Sequence, residues 1–260
     1  MDYKSIEKLV RQAGKMMLDA HLNQSQIQVK QGDANFCTEY DVKIQRFLIG
    51  NLKELLPEAG FYGEEETENN RENLGNCEYV FYIDPIDGTT NFMFGYHHSC
   101  VSVGLAHWGV MEAGFVYNPY VDEMYTAVRG QGSYLNGRKL TVDNVPIEKG
   151  LVAFGCARYN DNGTNLLFDS LKILFDRSLA IRSGGSATLD LCRVASGNNA
   201  VFLELRLQPY DYAAAAVIVE EAGGQITQVD GMPITLDKPC SVICGTPAAW
   251  QEAKEILNRP

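Results

Sequence analysis

Tyr79-Val80-Phe81-Tyr82-Ile83-Asp84-Pro85-Ile86-Asp87-Gly88-Thr89-Thr90-Asn91-Phe92 passes from an unbroken apolar run into two aspartates three positions apart. A run that is apolar at every position reads as a strand buried on both faces. Pro85 stiffens the turn that follows, and Gly88 lets the backbone approach something closely. Thr89, Thr90 and Asn91 read as the opening of a helix, whose first N–H groups have no intrahelical partner and suit an anion. Carboxylates at the end of a buried strand need a cation or hydrogen-bond donors to compensate them. Asp84 and Asp87 are therefore the first candidate site residues.

Two more acidic positions join them. Gly63-Glu64-Glu65-Glu66 follows the short apolar Gly60-Phe61-Tyr62, which makes Glu64 a site candidate and leaves Glu66 to a solvated loop. Tyr210-Asp211-Tyr212 leads into four alanines, so Asp211 starts a tightly packed helix, either as a site residue or as its N-cap. Glu64, Asp84, Asp87 and Asp211 offer hard oxygen ligands with no sulfur or imidazole, a set that selects Mg²⁺ or Mn²⁺ over Zn²⁺. The formal net charge of −11 argues against a nucleic-acid partner and disfavours an anionic substrate. Two or three divalent ions would offset the carboxylates and make the same pocket attractive to phosphate.

Other phosphate chemistries fail on spacing. An aspartyl-phosphate route needs Asp-x-Asp, whereas the pair here is Asp84-x-x-Asp87. There is no Cys followed five residues later by Arg, and no Gly-rich loop ending in Gly-Lys-Ser/Thr. Attack by water activated at a metal is what remains.

Around this segment the chain alternates helices and strands. Apolar positions at helical spacing predict helices over 4–22 and 40–56. Short strands are predicted at 79–83, 100–106, 113–117 and 123–128, closed by turns such as Gly130-Gln131-Gly132 and Asn136-Gly137. From about Leu151 the pattern becomes helix 164–176, strand 178–182, helix 186–196, strand 200–204, helix 211–222, strands 225–228 and 241–244, and helix 247–257. This predicts α+β halves, 1–150 with an antiparallel sheet and 151–260 more mixed. No apolar run approaches the ~20 residues of a membrane span, and the first residues lack the apolar block of a signal peptide. Seven cysteines without a repeating spacing fit reduced thiols in a cytoplasm. Cys240 and Cys244, with no His nearby, read as core residues rather than a zinc site.

Gly63-Glu64-Glu65, then Asp84-Pro85-Ile86-Asp87-Gly88-Thr89-Thr90-Asn91-Phe92, and far downstream Asp211 with Glu220-Glu221-Ala222-Gly223-Gly224 resemble the two signatures of the inositol monophosphatase family. Lys30 and Asp41 stand at the family's upstream spacing. The resemblance implies a layered α/β/α/β/α sandwich, usually a homodimer, and a lithium-sensitive, Mg²⁺-dependent phosphatase. It implies one metal at Glu64, Asp84 and the carbonyl of Ile86, a second at Asp84, Asp87 and Asp211, and a looser third at Glu64. Glu65 and Lys30 would act beside these ions, while Thr89, hydrogen-bonded to Asp41, would orient the attacking water. The N–H groups of Gly88 and Thr89 would hold phosphate; Asp87, Gly185, Ser186, Ala187 and Glu204 would contact a phosphomonoester substrate, inositol monophosphate or a similar polyol phosphate. Relatives acting on fructose bisphosphate, nucleotide 3′-phosphates or histidinol phosphate are alternatives, as is a fold that binds cations or partners without catalysis. Glu204 has the further reading of an ion pair with Arg206 or Arg182. Ser186 replaces the commoner Thr, and Tyr210 the usual Trp. His97 and His98 read as structural or surface residues.

Overall fold

The computed structural model describes residues 1–20, 27–29, 36–65, 74–156 and 163–259. Lys30 and Glu66 lie outside the described residues. The chain runs α1 (Tyr3–Leu18), β1 (Ile27–Val29), β2 (Phe36–Thr38), α2 (Glu39–Leu55), β3 (Gly60–Gly63), β4 (Tyr79–Asp87), α3 (Thr89–Met93), β5 (Cys100–His107), β6 (Val110–Asn118), β7 (Glu123–Val128), β8 (Gly132–Leu135) and β9 (Arg138–Lys139). It continues with β10 (Leu151–Phe154), α4 (Gly163–Arg177), β11 (Ala180–Arg182), α5 (Ala187–Ala195), β12 (Val201–Leu207), α6 (Pro209–Ala222), β13 (Gln225–Thr227), β14 (Cys240–Gly245) and α7 (Pro247–Leu257).

These elements form the expected layered α/β/α/β/α sandwich. The helix pair α1–α2 covers one face of a seven-stranded sheet, β3 to β9 in chain order. On its other face lie α5 and α6. A five-stranded sheet, β11-β10-β12-β14-β13, packs beyond them and is covered in turn by α4 and α7. Three apolar cores fill the gaps: Ile44, Leu48 and Phe81 under α1–α2, Tyr212, Val217 and Phe202 between the sheets, and Leu167, Leu203 and Ile256 under α4–α7.

Several sequence expectations need correction. The first helix stops at Leu18 rather than 22, because Asp19 caps it and sends its N–H back to Lys15 and Met17. The first sheet is not wholly antiparallel: β3 and β4 run parallel, a direction that two short apolar segments do not announce in sequence. The strand at Leu151–Phe154 escapes the sequence pattern, being four apolar residues with no alternation. The turn at Asn136-Gly137 is as expected, both residues at positive φ (49° and 78°) joining β8 to β9.

Two glycines explain why α6 is rich in alanine. A Cβ on Gly104 of β5 would sit 2.9 Å from the Ala214 nitrogen, and one on Gly114 of β6 would overlap the Ala214 carbonyl. Helix backbone thus rests almost directly on sheet backbone at Ala213 and Ala214. That close approach lays the start of α6, with Asp211, beside the end of β4. Among the described residues, no helix is long and apolar enough to cross a membrane.

Candidate functional site

β4 carries Asp84 and Asp87 on an irregular stretch. Asp84 is opposite Ser102 of β5 and Asp87 opposite Cys100, so three steps on β4 match two on β5. The extra residue is a bulge, and Pro85, which has no N–H to give a ladder, sits in it. The Ile86 N–H donates instead to Asp84 Oδ1 at 3.0 Å. Side-chain oxygens of Asp84, Asp87 and Asp211 lie within 4.8 Å of one another. A second group, Asp41, Glu64 and Glu65, is equally close.

Four helix starts converge here. Asp41 is the third residue of α2, and its Oδ2 accepts from the Thr38 N–H (2.7 Å) and hydroxyl (2.5 Å) while Oδ1 faces the Thr89 hydroxyl at 3.3 Å. Thr89, first residue of α3, also donates to the Ile86 carbonyl at 3.1 Å. At α5, the Thr188 N–H (2.8 Å) and the Ser186 hydroxyl both donate to Asp87 Oδ2. Asp211 is the third residue of α6 rather than its N-cap, because the helix begins two residues earlier at Pro209; its Oδ2 takes the Gln208 N–H at 2.7 Å. Each helix presents the positive end of its dipole to the acidic centre.

These donors compensate only part of the charge. Burial, then Glu64, Asp87 and Asp211, pushes the Asp84 carboxyl well above the usual range. Asp211 is also driven well up, by burial and then Asp87. For Asp87 burial raises the value, while the bonds from Ser186 and Thr188 pull it down. Among the described residues none of these three pairs with Lys or Arg. Carboxylates this crowded, with so few protein donors among them, suit a hard divalent cation. The donor set fits the metal that the resemblance implies.

Ser186 is buried (1% exposed), its hydroxyl occupied by Asp87 and by the Leu189 N–H at 3.3 Å. Gly185, at φ 77°, is exposed and Ala187 half-buried. Glu204, on β12, is 7% exposed and forms no ion pair among the described residues, so the alternative reading of a pair with Arg206 or Arg182 is not seen there. Burial, then Asp87 and Asp190, pushes it up to about 8. Its carboxylate fills the space beside Gly155, where any Cβ would overlap it. His97 stacks on Tyr120 at 4.7 Å and His98 lies 3.9 Å from Asp190. Cys240 and Cys244 are buried core residues.

The sequence reading passed over several contributors. Asn91 ties α3 to the 184–186 loop, donating to the carbonyls of His98 (2.7 Å) and Gly184 (2.8 Å). Gln45 brackets Glu65, and Thr188 joins Asp87 to the Asp211 carbonyl (2.7 Å). Only the polar character of Thr188 and Asn91 at helix starts could have flagged them; Gln45 looked like one more polar helix residue.

The profile of the inositol monophosphatase family matches residues 2–259. The chain belongs to the inositol monophosphatase family. It is similar to inositol monophosphatase 1 of Mus musculus, 35% identical over 91% of this chain and 86% of the mouse protein. A Neisseria meningitidis protein provisionally designated Nus factor SuhB is 34% identical over 96% of this chain and 95% of its own. The crystal structure of extragenic suppressor protein suhB from Bartonella henselae superposes with a TM-score of 0.90, at 30% identity, covering 100% of this chain and 99% of that one.

Proposed function

We propose that this family member is a Mg²⁺-dependent phosphatase of a small polyol monophosphate, inositol monophosphate first among them. The observation that carries the reading is the paired carboxylate clusters, Asp84–Asp87–Asp211 and Asp41–Glu64–Glu65, at the meeting point of four helix starts. Bound there, divalent ions would polarise the phosphate and lower the pKa of a coordinated water. Glu64, Asp84, the Ile86 carbonyl, Asp87 and Asp211 would hold them. Thr89, held by Asp41, orients the attacking water and passes its proton towards the Asp41 carboxylate. The N–H groups of Gly88 and Thr89 hold the phosphate at the start of α3. Glu204, with the backbone of Gly185 and Ala187, accepts and orients the substrate's hydroxyls; Ser186 contributes by fixing Asp87. The likeness to the mouse enzyme supports inositol phosphate over other phosphomonoesters.

A second reading is a partner-binding role with little catalysis, favoured by the equal likeness to the meningococcal protein. Phosphate release decides between them. The panel is myo-inositol 1-phosphate, fructose 1,6-bisphosphate, adenosine 3′,5′-bisphosphate, NADP and histidinol phosphate, each with Mg²⁺, with EDTA, and with Mg²⁺ plus Li⁺. Mg²⁺-dependent, Li⁺-inhibited release that is highest for the inositol ester supports the first reading; no release from any ester supports the second. A homodimer in the cytoplasm completes the proposal, consistent with seven cysteines set at no repeating spacing and with the exposed aromatics Phe94 and Tyr96. Light scattering tests the dimer.

A further inference from the structure

We infer that Gln45 is a positioning residue for the divalent-ion centre, its buried amide holding Glu64 and Glu65 in ligating register. The inference rests on the metal-dependent reading above. β3 ends at Gly63, and one further ladder bond, from the Glu64 N–H to the Ile83 carbonyl at 3.0 Å, extends it. At the next residue a side chain takes over from the neighbouring strand. Gln45 Oε1 accepts from the Glu65 N–H at 2.9 Å, and Gln45 Nε2 donates to the Glu65 carbonyl at 2.8 Å. A primary amide supplies one donor and one acceptor side by side, the pattern that a paired peptide would offer.

Three features make this a built arrangement. Gln45 is fully buried, on α2 one turn beyond Asp41, so a single helix face serves both Thr89 and Glu65. Gly63 leaves the amide its room, because a Cβ there would press into the Gln45 carboxamide. Cys37 borders the other end of Glu65, its thiol able to donate to Oε2 or to the Thr38 carbonyl, each at 3.3 Å. Backbone and carboxylate of Glu65 thus meet separate partners, and Glu64, between Gly63 and Glu65, has its direction set from both sides. A carboxylate at position 45 would face the Glu65 carbonyl with an acceptor and add a charge to three acids already within 4.8 Å of one another.

The test is Mg²⁺ binding by calorimetry on the full chain, together with the Mg²⁺ dependence of phosphate release from myo-inositol 1-phosphate. Gln45→Leu, Gln45→Glu and Gly63→Ala are compared with Leu48→Ala, a fully buried core position on the same helix. Partners that orient metal ligands typically change affinity by about 10–100-fold. Gln45→Leu and Gly63→Ala are expected to weaken Mg²⁺ binding by about 10-fold and to raise the half-saturating Mg²⁺ equally. Gln45→Glu should weaken it further, with substrate KM at saturating Mg²⁺ unchanged in all three. Leu48→Ala should lower the melting temperature without moving Mg²⁺ affinity. Wild-type Mg²⁺ affinity in Gln45→Leu and Gly63→Ala overturns the inference, as does an equal loss in Leu48→Ala. A wild-type protein that binds no divalent ion overturns it together with the proposed function, whereas unaltered variants of a metal-dependent wild type overturn the inference alone.

Discussion

Asp84 and Asp87 stand three residues apart on one strand and still direct their carboxylates into the same cluster. Regular alternation would put residues at odd separation on opposite faces. The bulge at Pro85-Ile86 absorbs one residue, so the two carboxylates meet, and Pro85 makes the irregular register easier to hold. Each aspartate then faces a different helix start, Asp87 at α5 and Asp84 near the head of α6. The strand motif is a device for turning two successive acids inward.

Asp87→Asn tests what that device is for. The amide oxygen can still accept from Ser186 and Thr188, so the fold is kept, but one metal-facing charge is lost. Phosphate release is expected to fall by about 10²-fold or more, the scale of losing a key electrostatic group in a reaction centre. Removal of a buried like charge should leave the metal-free melting temperature unchanged or higher. Full activity in the folded variant would refute the site assignment.

Metal binding and pH should be coupled, with a sign fixed by the raised carboxyls. A group whose folded pKa lies above its unfolded value binds more protons when folded, so stability falls as pH rises between the two. Glu204 moves from 4.5 to about 8, and Asp84, Asp87 and Asp211 shift in the same direction. In EDTA the melting temperature should therefore drop from pH 5 to pH 8, each such group contributing at most about 1.4 kcal/mol per pH unit. Mg²⁺ should raise it more at pH 8 than at pH 6, as protons cease to compete for the oxygens. Calorimetric melts with and without the ion check both slopes; a metal-free protein that grows more stable towards pH 8 would contradict the arrangement.

Much of this was legible in the residues, and what was not has physical reasons. The acids were readable because charge at the end of an apolar run is costly and therefore informative. The helices carried strong periodicity, and α7 falls on its expected 247–257. The parallel pairing of β3 with β4 and the strand at 151–154 were not readable, since short buried strands carry neither alternation nor direction. The direction of the Ser186 hydroxyl, towards Asp87, was not readable, because sequence shows that a hydroxyl is present, not which way it points. Gln45 was invisible for the same reason: its role lies in a long-range amide pairing with Glu65, twenty positions away.

The sheet glycines under α6 predict a stability effect that spreads to the site. Gly114→Ala drives a methyl into the Ala214 carbonyl and Val217, and backbone cannot rotate away as a side chain would. Overpacking of this kind costs about 1–3 kcal/mol, or a fall of roughly 2–12 °C in melting temperature at this chain length. Because α6 carries Asp211, Mg²⁺ affinity should weaken as well. Gly130→Ala, at a turn with nothing near its Cβ but a φ of 75°, serves as the comparison: it should lose stability through strain without loss of Mg²⁺ affinity. Melting curves and Mg²⁺ titrations on the two variants separate local strain from displacement of the helix.

Ser186 and Glu204 should separate in kinetics, although both interact with Asp87. Ser186→Ala removes a donor from Asp87 and the N-cap of α5, which alone costs about 0.5–2 kcal/mol of stability. Its catalytic effect should fall on kcat and on the Mg²⁺ requirement, with substrate KM nearly unchanged, since the hydroxyl faces Asp87. Ser186→Thr keeps the hydroxyl and should keep most of the activity. Glu204→Gln leaves the hydrogen bonds to Asp87 untouched and replaces the carboxyl that faces substrate hydroxyls with an amide of different donor and acceptor pattern, so KM should rise for inositol phosphate and much less for a phosphate ester without neighbouring hydroxyls, such as p-nitrophenyl phosphate. Steady-state kinetics on both substrates give the comparison. A raised KM in Ser186→Ala would return that side chain to the substrate, and equal losses on both esters in Glu204→Gln would make Glu204 part of the reaction centre instead of its selectivity.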